Sequence, residues 1–176
     1  AIIRATRILN DYKKIIKGNN VDIVRATATS AMRDAKNGKD IQLLFSQILG
    51  YNIEIINGKE EARISFLGSI ESNSNQLELV LDIGGGSTEI IVGNKDKITF
   101  SQSLQIGAVR ITEQFFPDFK SKTTNYEIAQ KFIQNLLKEL GTLDRTENLI
   151  AVAGTPTTIA AIDLNLPQYN AHLIHN

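Results

Sequence analysis

The sequence contains no cysteine among its 176 residues. Without cysteine the chain can form no disulfide, has no thiolate nucleophile and offers no thiolate ligand to zinc. A metal ion could therefore bind only to oxygen or histidine ligands. Because disulfides are typical of oxidising compartments, their exclusion fits an intracellular protein, and we expect a cytoplasmic location.

Long hydrophobic runs and an excess of one charge are also missing. No stretch approaches the roughly 18 consecutive apolar residues that are needed to cross a bilayer, and no basic segment followed by an apolar run marks a secretion signal. Nineteen Lys and Arg residues balance nineteen Asp and Glu residues. No overall field therefore draws the chain to nucleic acid or to an anionic membrane, and we expect neither partner. A polyanionic ligand would need a local binding site.

The hydrophobic content of 42% is high enough for a substantial core, and the length suits one large domain or two small lobes. Hydrophobic periodicity predicts the order helix, strand, helix, strand, helix up to residue 70. The polar stretch 71–76 is the best candidate for a boundary. We therefore predict a first lobe ending in residues 1–75 and a second lobe starting in residues 76–176.

The pattern changes beyond this stretch. Residues 77–83, 87–92 and 97–106 are predicted to form three successive strands of an antiparallel meander, joined by two glycine-containing turns. Two helices follow, and a short apolar strand at 149–153 leads through Gly154 into another helix. Strands and helices alternate in this way in α/β folds.

The turn after the first strand of the meander carries residues suited to binding phosphate. Asp82 ends the strand, Gly84, Gly85 and Gly86 follow, and Ser87, Thr88 and Glu89 begin the next strand. Glycines can adopt positive φ and bring backbone N–H groups against a phosphate oxygen, and the two hydroxyls add donors. Asp82 can hold a hydrated divalent cation, with Glu89 as a second carboxylate. The alternative is a hairpin tip that uses glycine only for its turn.

Two predicted helix starts, at Gly154 and after Gly58, can each be interpreted either as part of a functional site or as an ordinary structural feature. Gly154 and Thr155 begin a helix, whose free N–H groups and positive dipole end can bind an anion, although a capped strand–helix connection has the same composition. A long phosphate chain could contact both this turn and the first one.

Glu60 and Glu61 follow Gly58 at a helix start, where acids usually complement the helix dipole. A metal pair at His172 and His175 is not predicted, because no third ligand lies nearby in the sequence.

Four segments, in this order, resemble the exopolyphosphatase and guanosine pentaphosphatase (Ppx/GppA) family: 25–35, 58–63, 82–89 and 154–158. The resemblance implies a ribonuclease-H-like fold of the two-lobed actin-like superfamily, which includes acetate and sugar kinases, heat-shock chaperones and actin. It also implies hydrolysis of terminal phosphate from inorganic polyphosphate or guanosine pentaphosphate, with magnesium or a similar ion as cofactor. By resemblance, Glu61 matches the glutamate that activates water, and Arg33 matches a phosphate-gripping arginine.

The family also has an earlier loop of the type Asp-x-Gly-Ser-Asn-Ser, which has no counterpart in this sequence. We therefore expect the chain to be part of a longer protein, and its activity on its own stays open. Two alternatives remain at this point, a kinase of the same superfamily and a non-catalytic, nucleotide-responsive assembly protein. A homodimer of the full-length protein is also left open.

Overall fold

The computed structural model describes residues 2–71, 75–118 and 123–175. The chain divides into two compact units, Ala1–Asn57 and Gly58–Asn176. Part of the stretch that was predicted as a boundary, residues 72–74, lies outside the described residues. No helix in the described ranges is long and apolar enough to cross a membrane.

The first unit contains a parallel pair of short strands and three helices. Its elements are α1 (Ile2–Gly18), β1 (Ala26–Ala28), α2 (Ser30–Arg33), α3 (Gly38–Leu49) and β2 (Ile53–Ile55), and β1 pairs with β2. Phe45, Leu49 and Ile53 form its core, against which apolar side chains of α1 pack. Helix α3 ends at Gly50, whose φ of 86° is the left-handed conformation that glycine adopts without strain.

The second unit is built on a four-stranded mixed sheet. Its elements are α4 (Gly58–Ser69), β3 (Glu78–Ile83), β4 (Thr88–Gly93), β5 (Ile98–Leu104), α5 (Ala108–Phe115), α6 (Thr123–Lys138), β6 (Asn148–Val152), α7 (Gly154–Asp163) and α8 (Ala171–Ile174). The strand order is β5-β4-β3-β6. Strands β3, β4 and β5 form the predicted antiparallel meander, and β6 lies parallel to β3.

Both faces of this sheet are covered, which is why β4 is buried at all six of its positions. On one face, Ala62 and Phe66 of α4 pack against Val80 and Ile91, and all four side chains are fully buried. On the other face, Ile90 packs with Leu104, Ile106 and apolar residues of α6. Neighbouring residues such as Ile90 and Ile91 serve opposite faces because side chains alternate along a strand.

Helix α4 precedes the predicted boundary at residues 71–76 but packs on the sheet of the second compact unit. The sequence placed this helix in a first lobe, residues 1–75, whereas in the structure it belongs to the second compact unit. The physical reason is the burial of Ala62 and Phe66 on the sheet, a contact between residues distant in sequence. The assignment of residues 1–75 and 76–176 to two lobes of a longer protein stays a prediction.

Candidate functional site

The turn between β3 and β4 is closed by its own backbone. Ile83 lies opposite Thr88 at the end of the ladder, and the N–H of Gly84 donates to the carbonyl of Ser87 at 3.0 Å. Gly84 and Gly85 do not adopt the positive φ that the absence of a Cβ allows. A glycine beside the turn is required for another cause.

That cause is the close approach of the segment leading into α5. Gly107 is the N-cap residue of α5, and a Cβ on it would lie 2.6 Å from the carbonyl carbon of Gly85 and 2.7 Å from the carbonyl oxygen of Gly84. A Cβ on Gly85 would lie 3.2 Å from Val109 Cγ2. At Gly107 the two backbones meet at a distance that no side chain permits, whereas a Cβ on Gly85 would displace Val109 by only a few tenths of an ångström. Sequence reasoning missed Gly107, for which the available signal was a glycine directly before a predicted helix.

Helix α5 satisfies the carbonyl groups of the turn. The N–H of Ala108 donates to the carbonyl of Gly84 at 3.0 Å, and the N–H of Val109 donates to that of Gly85 at 2.9 Å. Arg110 Nε donates to the carbonyl of Gly86 at 2.7 Å. Arg110 is a second residue that the sequence did not single out.

The two hydroxyls predicted to bind phosphate are engaged within the protein. Ser87 is 2% exposed and donates to the carboxylate of Glu89. Thr88 is 8% exposed, and its Oγ1 donates to the carbonyl of Ile106 at 2.7 Å. The main-chain N–H groups of the turn are therefore better placed as phosphate donors than these hydroxyls, whose phosphate contacts stay a prediction.

Asp82 and Glu89 lie directly opposite each other on β3 and β4, so their side chains share one face of the sheet. Asp82 is half-buried, and its Oδ2 accepts a hydrogen bond from Ser65 Oγ of α4 at 2.6 Å. Glu89 is 1% exposed, and its Oε1 accepts from Ser103 Oγ of β5 at 2.7 Å. Hydroxyls from two neighbouring elements thus orient the two carboxylates.

The two acids at the start of α4 have different surroundings. Glu60 forms a two-pronged ion pair with Arg63, with Nε to Oε2 at 2.9 Å and Nη2 to Oε1 at 3.0 Å. Glu61 instead contributes negative charge at Glu89. Burial is the main factor that raises the pKa of Glu89, the charges of Glu61 and Asp82 raise it further, and the serine hydroxyls oppose them. Glu61, Asp82 and Glu89 therefore belong to one electrostatic cluster.

Asp82 fits a hydrated magnesium ion better than Glu89 does. Magnesium keeps several waters and uses one or two carboxylates, which suits a half-buried aspartate at a strand end. Glu89 is enclosed, accepts hydrogen bonds from two hydroxyls and has a raised pKa, all of which disfavour direct ligation. The described residues contain no group of three or more acidic or histidine side chains arranged to hold a metal ion.

The second predicted turn lies beside the first. Strand β6 runs parallel to β3, with Val152 opposite Asp82, so both strands end at the same edge of the sheet. A cavity of about 370 Å³ is lined there by Gly84 and Gly85 of the first turn and by Gly154 and Thr155 of the second. The two turns therefore line one cavity, and contact of a phosphate chain with both of them stays a prediction.

Helix α7 begins at Gly154, as the sequence predicted, and Pro156 is its third residue. Its first turn contains no acidic residue, and Ala153 provides no side-chain cap. Such an N-terminus suits an anion, because its N–H groups and its dipole both favour negative charge. The preceding Ala153 has φ 75° and ψ −174°, a conformation that is essentially restricted to glycine.

Arg33 belongs to the first unit. Its Nη1 donates to the carbonyl of Ile56 at 2.9 Å, and its Nε lies 3.9 Å from Asp34 Oδ1. The side chain therefore supports the backbone that follows β2. Its contact with phosphate stays a prediction.

A glycine turn, a helix N-terminus and a carboxylate cluster at one edge of a mixed sheet define an α/β domain suited to binding phosphate. The model of the Ppx/GppA phosphatase family matches residues 1–173, and the chain belongs to this family. The chain is 31% identical to exopolyphosphatase 2 of Mycobacterium tuberculosis over 99% of its own length and 58% of that protein. It is 38% identical to the bifunctional 3-dehydroquinate synthase/phosphatase of Fusobacterium nucleatum over 99% of its own length and 28% of that protein.

A solved structure of the same family has the same fold. The crystal structure of the Aquifex aeolicus member of the Ppx/GppA family superposes with a TM-score of 0.75 at 32% identity, covering 99% of this chain and 56% of that chain. The predicted α/β fold is confirmed as that of a Ppx/GppA family member, and its assignment to the ribonuclease-H-like, actin-like type stays a prediction. The chain spans little more than half the length of this structure.

Proposed function

We propose that the chain provides part of the active site of a hydrolase that releases terminal phosphate from inorganic polyphosphate. The observation that carries this proposal is the cluster of Glu61, Asp82 and Glu89 beside a glycine turn that shares a cavity with the N-terminus of α7. This edge of the sheet provides hydrogen-bond donors for phosphate oxygens and a carboxylate that can orient a water molecule. The exopolyphosphatase among its relatives supports the substrate class.

In this proposal Glu61 orients a water molecule and accepts its proton as the water oxygen attacks the terminal phosphorus. The bond from phosphorus to the bridging oxygen breaks, and the shortened phosphate chain leaves. Backbone N–H groups of the turn and of α7 bind the phosphate oxygens. Asp82 would hold magnesium or a similar ion, which supplies positive charge to the phosphoryl oxygens when it is bound.

The ion pair of Glu60 favours Glu61 as the base. A carboxylate held by both prongs of Arg63 is stabilised in its ionised, fully hydrogen-bonded form and is poorly placed to accept a proton. Glu61 is the acid of the pair that contributes charge within the carboxylate cluster. The structure of the helix start therefore supports the role that the family resemblance implied.

Guanosine pentaphosphate is the second candidate substrate, because one relative, 32% identical, is a guanosine-5'-triphosphate,3'-diphosphate pyrophosphatase and because the terminal phosphate is also joined by a phosphoanhydride bond. The contacts that would discriminate it from polyphosphate are not provided by the two turns. The homodimer of a full-length protein and the cytoplasmic location stay predictions.

The test uses the full-length protein and measures phosphate release from polyphosphate and from guanosine pentaphosphate in the presence of magnesium. Glu61→Gln is expected to lower kcat about 100-fold or more, the usual contribution of a general base. Glu60→Gln is the matched control, one residue away on the same helix turn, and should keep kcat within about threefold. A Glu61→Gln variant with near wild-type turnover would refute the assignment of the base. ADP formation from ATP in a coupled assay, without phosphate release, would favour the kinase alternative.

A further inference from the structure

Arg110 contacts the glycine turn twice. Its main-chain N–H donates to the carbonyl of Gly85 at 3.0 Å, and its Nε donates to the carbonyl of Gly86 at 2.7 Å. The N–H of Ala108, two residues earlier, donates to the carbonyl of Gly84. Three consecutive carbonyl groups of the turn are therefore directed toward the first turn of α5 and the Arg110 side chain.

The direction of these carbonyls determines the direction of the next three N–H groups. In a planar trans peptide the N–H is antiparallel to the C=O of the preceding residue. The N–H groups of Gly85, Gly86 and Ser87 therefore point away from their neighbours on α5. In the described part of the chain these three N–H groups have no acceptor. Successive N–H groups on one side of a turn form a concavity that binds anions.

The Gly86–Ser87 peptide depends on a side chain for this orientation. The carbonyls of Gly84 and Gly85 are held by backbone N–H groups of α5, which every residue except proline has. The carbonyl of Gly86 is held by the guanidinium of Arg110. Without that donor the Gly86–Ser87 peptide plane can rotate, because Gly86 has no side chain to restrict it. The N–H of Ser87 rotates with the plane.

We propose that Arg110 is a positioning residue that holds the Gly86–Ser87 peptide and so orients the N–H of Ser87 toward the phosphate of the substrate. The proposal rests on the proposed phosphate site and adds the element that sets its geometry. Arg110 acts here through the turn and not by touching the reacting atoms. The guanidinium also brings a positive charge to the turn.

Nuclear magnetic resonance of the ¹⁵N-labelled full-length protein tests the orientation directly, with sodium tripolyphosphate as the probe. In the wild type we expect the amide signals of Gly86, Ser87 and Thr155 to shift on titration. In Arg110→Gln, the shift of Ser87 should be lost, while those of Gly86, whose peptide is held by backbone N–H groups, and of Thr155 on α7 should persist. Arg110→Lys keeps the charge but lacks the Nε donor, and it should behave like Arg110→Gln if orientation is decisive.

Kinetics provide the second readout. We expect Arg110→Gln and Arg110→Lys to raise KM for polyphosphate about tenfold and to leave kcat within about threefold, because ground-state and transition-state phosphate contacts are lost alike. Arg145→Gln is the charge control, since Arg145 is exposed and precedes β6, at the opposite end of that strand from Gly154. It should leave KM and all three amide shifts unchanged.

The outcomes separate this inference from the proposed function. Wild-type hydrolysis together with unchanged KM and an unchanged Ser87 shift in both Arg110 variants would overturn the role of Arg110 and leave the hydrolase proposal intact. Absence of wild-type hydrolysis with retained amide shifts would refute the proposed reaction and not the orientation. Absence of a wild-type shift at Ser87 would overturn the inference itself. If Arg110→Gln does not fold, the amide shifts and the KM of Arg110→Lys, which keeps the charge, test the proposal.

Discussion

The surroundings of Glu89 change the chemistry that its carboxyl group can perform. By its position after the glycine turn, it was interpreted as a second magnesium ligand beside Asp82. The fold places it at 1% exposure between the hydroxyls of Ser87 and Ser103, with Asp82 opposite and the charge of Glu61 nearby. A carboxyl in that position holds its proton more tightly than one in water.

This raised pKa leads to a prediction about stability and pH. Because the pKa of Glu89 is above its ordinary value of 4.5 in the folded state, its contribution to stability is fully present below that value and is lost as pH rises through the raised pKa. In metal-free buffer with EDTA, Glu89→Gln should therefore gain free energy of unfolding relative to the wild type, and the gain should be larger at pH 8 than at pH 4. Urea unfolding at both pH values measures it.

The control for this prediction is Glu139→Gln, which changes an exposed carboxylate directly after the end of α6. Its effect should stay within about 0.5 kcal/mol at both pH values, as is usual for surface substitutions. A Glu89→Gln variant that is less stable than the wild type at pH 8 would show that the ionised carboxylate is stabilised in the folded protein.

The connection between β6 and α7 shows strain at the candidate site. Ala153 has φ 75°, although a residue with a Cβ pays about 1–3 kcal/mol for such a conformation. The surrounding elements impose it, since β6 is paired with β3 up to Val152 and α7 begins one residue after Ala153. Strain of this kind is common where a backbone is held in place for binding a ligand.

Ala153→Gly should therefore raise the free energy of unfolding by about 1 kcal/mol, because glycine adopts this conformation without a steric penalty. Thermal or urea unfolding measures the change. Ala151→Gly, an exposed position with ordinary backbone in β6, is the matched control and should lower stability by about 0.5–1 kcal/mol. Equal destabilisation by both substitutions would mean that the connection is not strained.

The two compact units have separate cores. Phe45, Leu49 and Ile53 form that of Ala1–Asn57, while the second unit packs helices against both faces of its own sheet. Each of these core clusters is formed by side chains of a single unit. A core of its own is the physical condition for independent folding.

We therefore predict that residues 58–176 fold without residues 1–57. Expressed alone, this segment should give a cooperative thermal transition by circular dichroism and dispersed amide signals in nuclear magnetic resonance. The amide of Thr155 should still shift with tripolyphosphate, because both turns belong to this unit. A random-coil spectrum would show that the first unit is needed for the fold of the second.

The sequence alone was sufficient for the features that depend on neighbouring residues. The meander, the glycine turn after Asp82 and the helix start at Gly58 follow from periodicity and turn composition, which are local. The family resemblance had the same basis, because its motifs are short and contiguous. These features predicted the fold class and drew attention to Glu61, Asp82 and the two turns.

Only the tertiary structure could decide which groups meet. The burial of Glu89, the approach of Gly107 to Gly85 and the packing of α4 on the sheet depend on contacts whose partners no local pattern specifies. The same holds for Arg110, which looks like a surface residue of a short helix in the sequence. In the folded chain it lies against the carbonyl of Gly86, because the chain between β5 and α5 returns over the glycine turn.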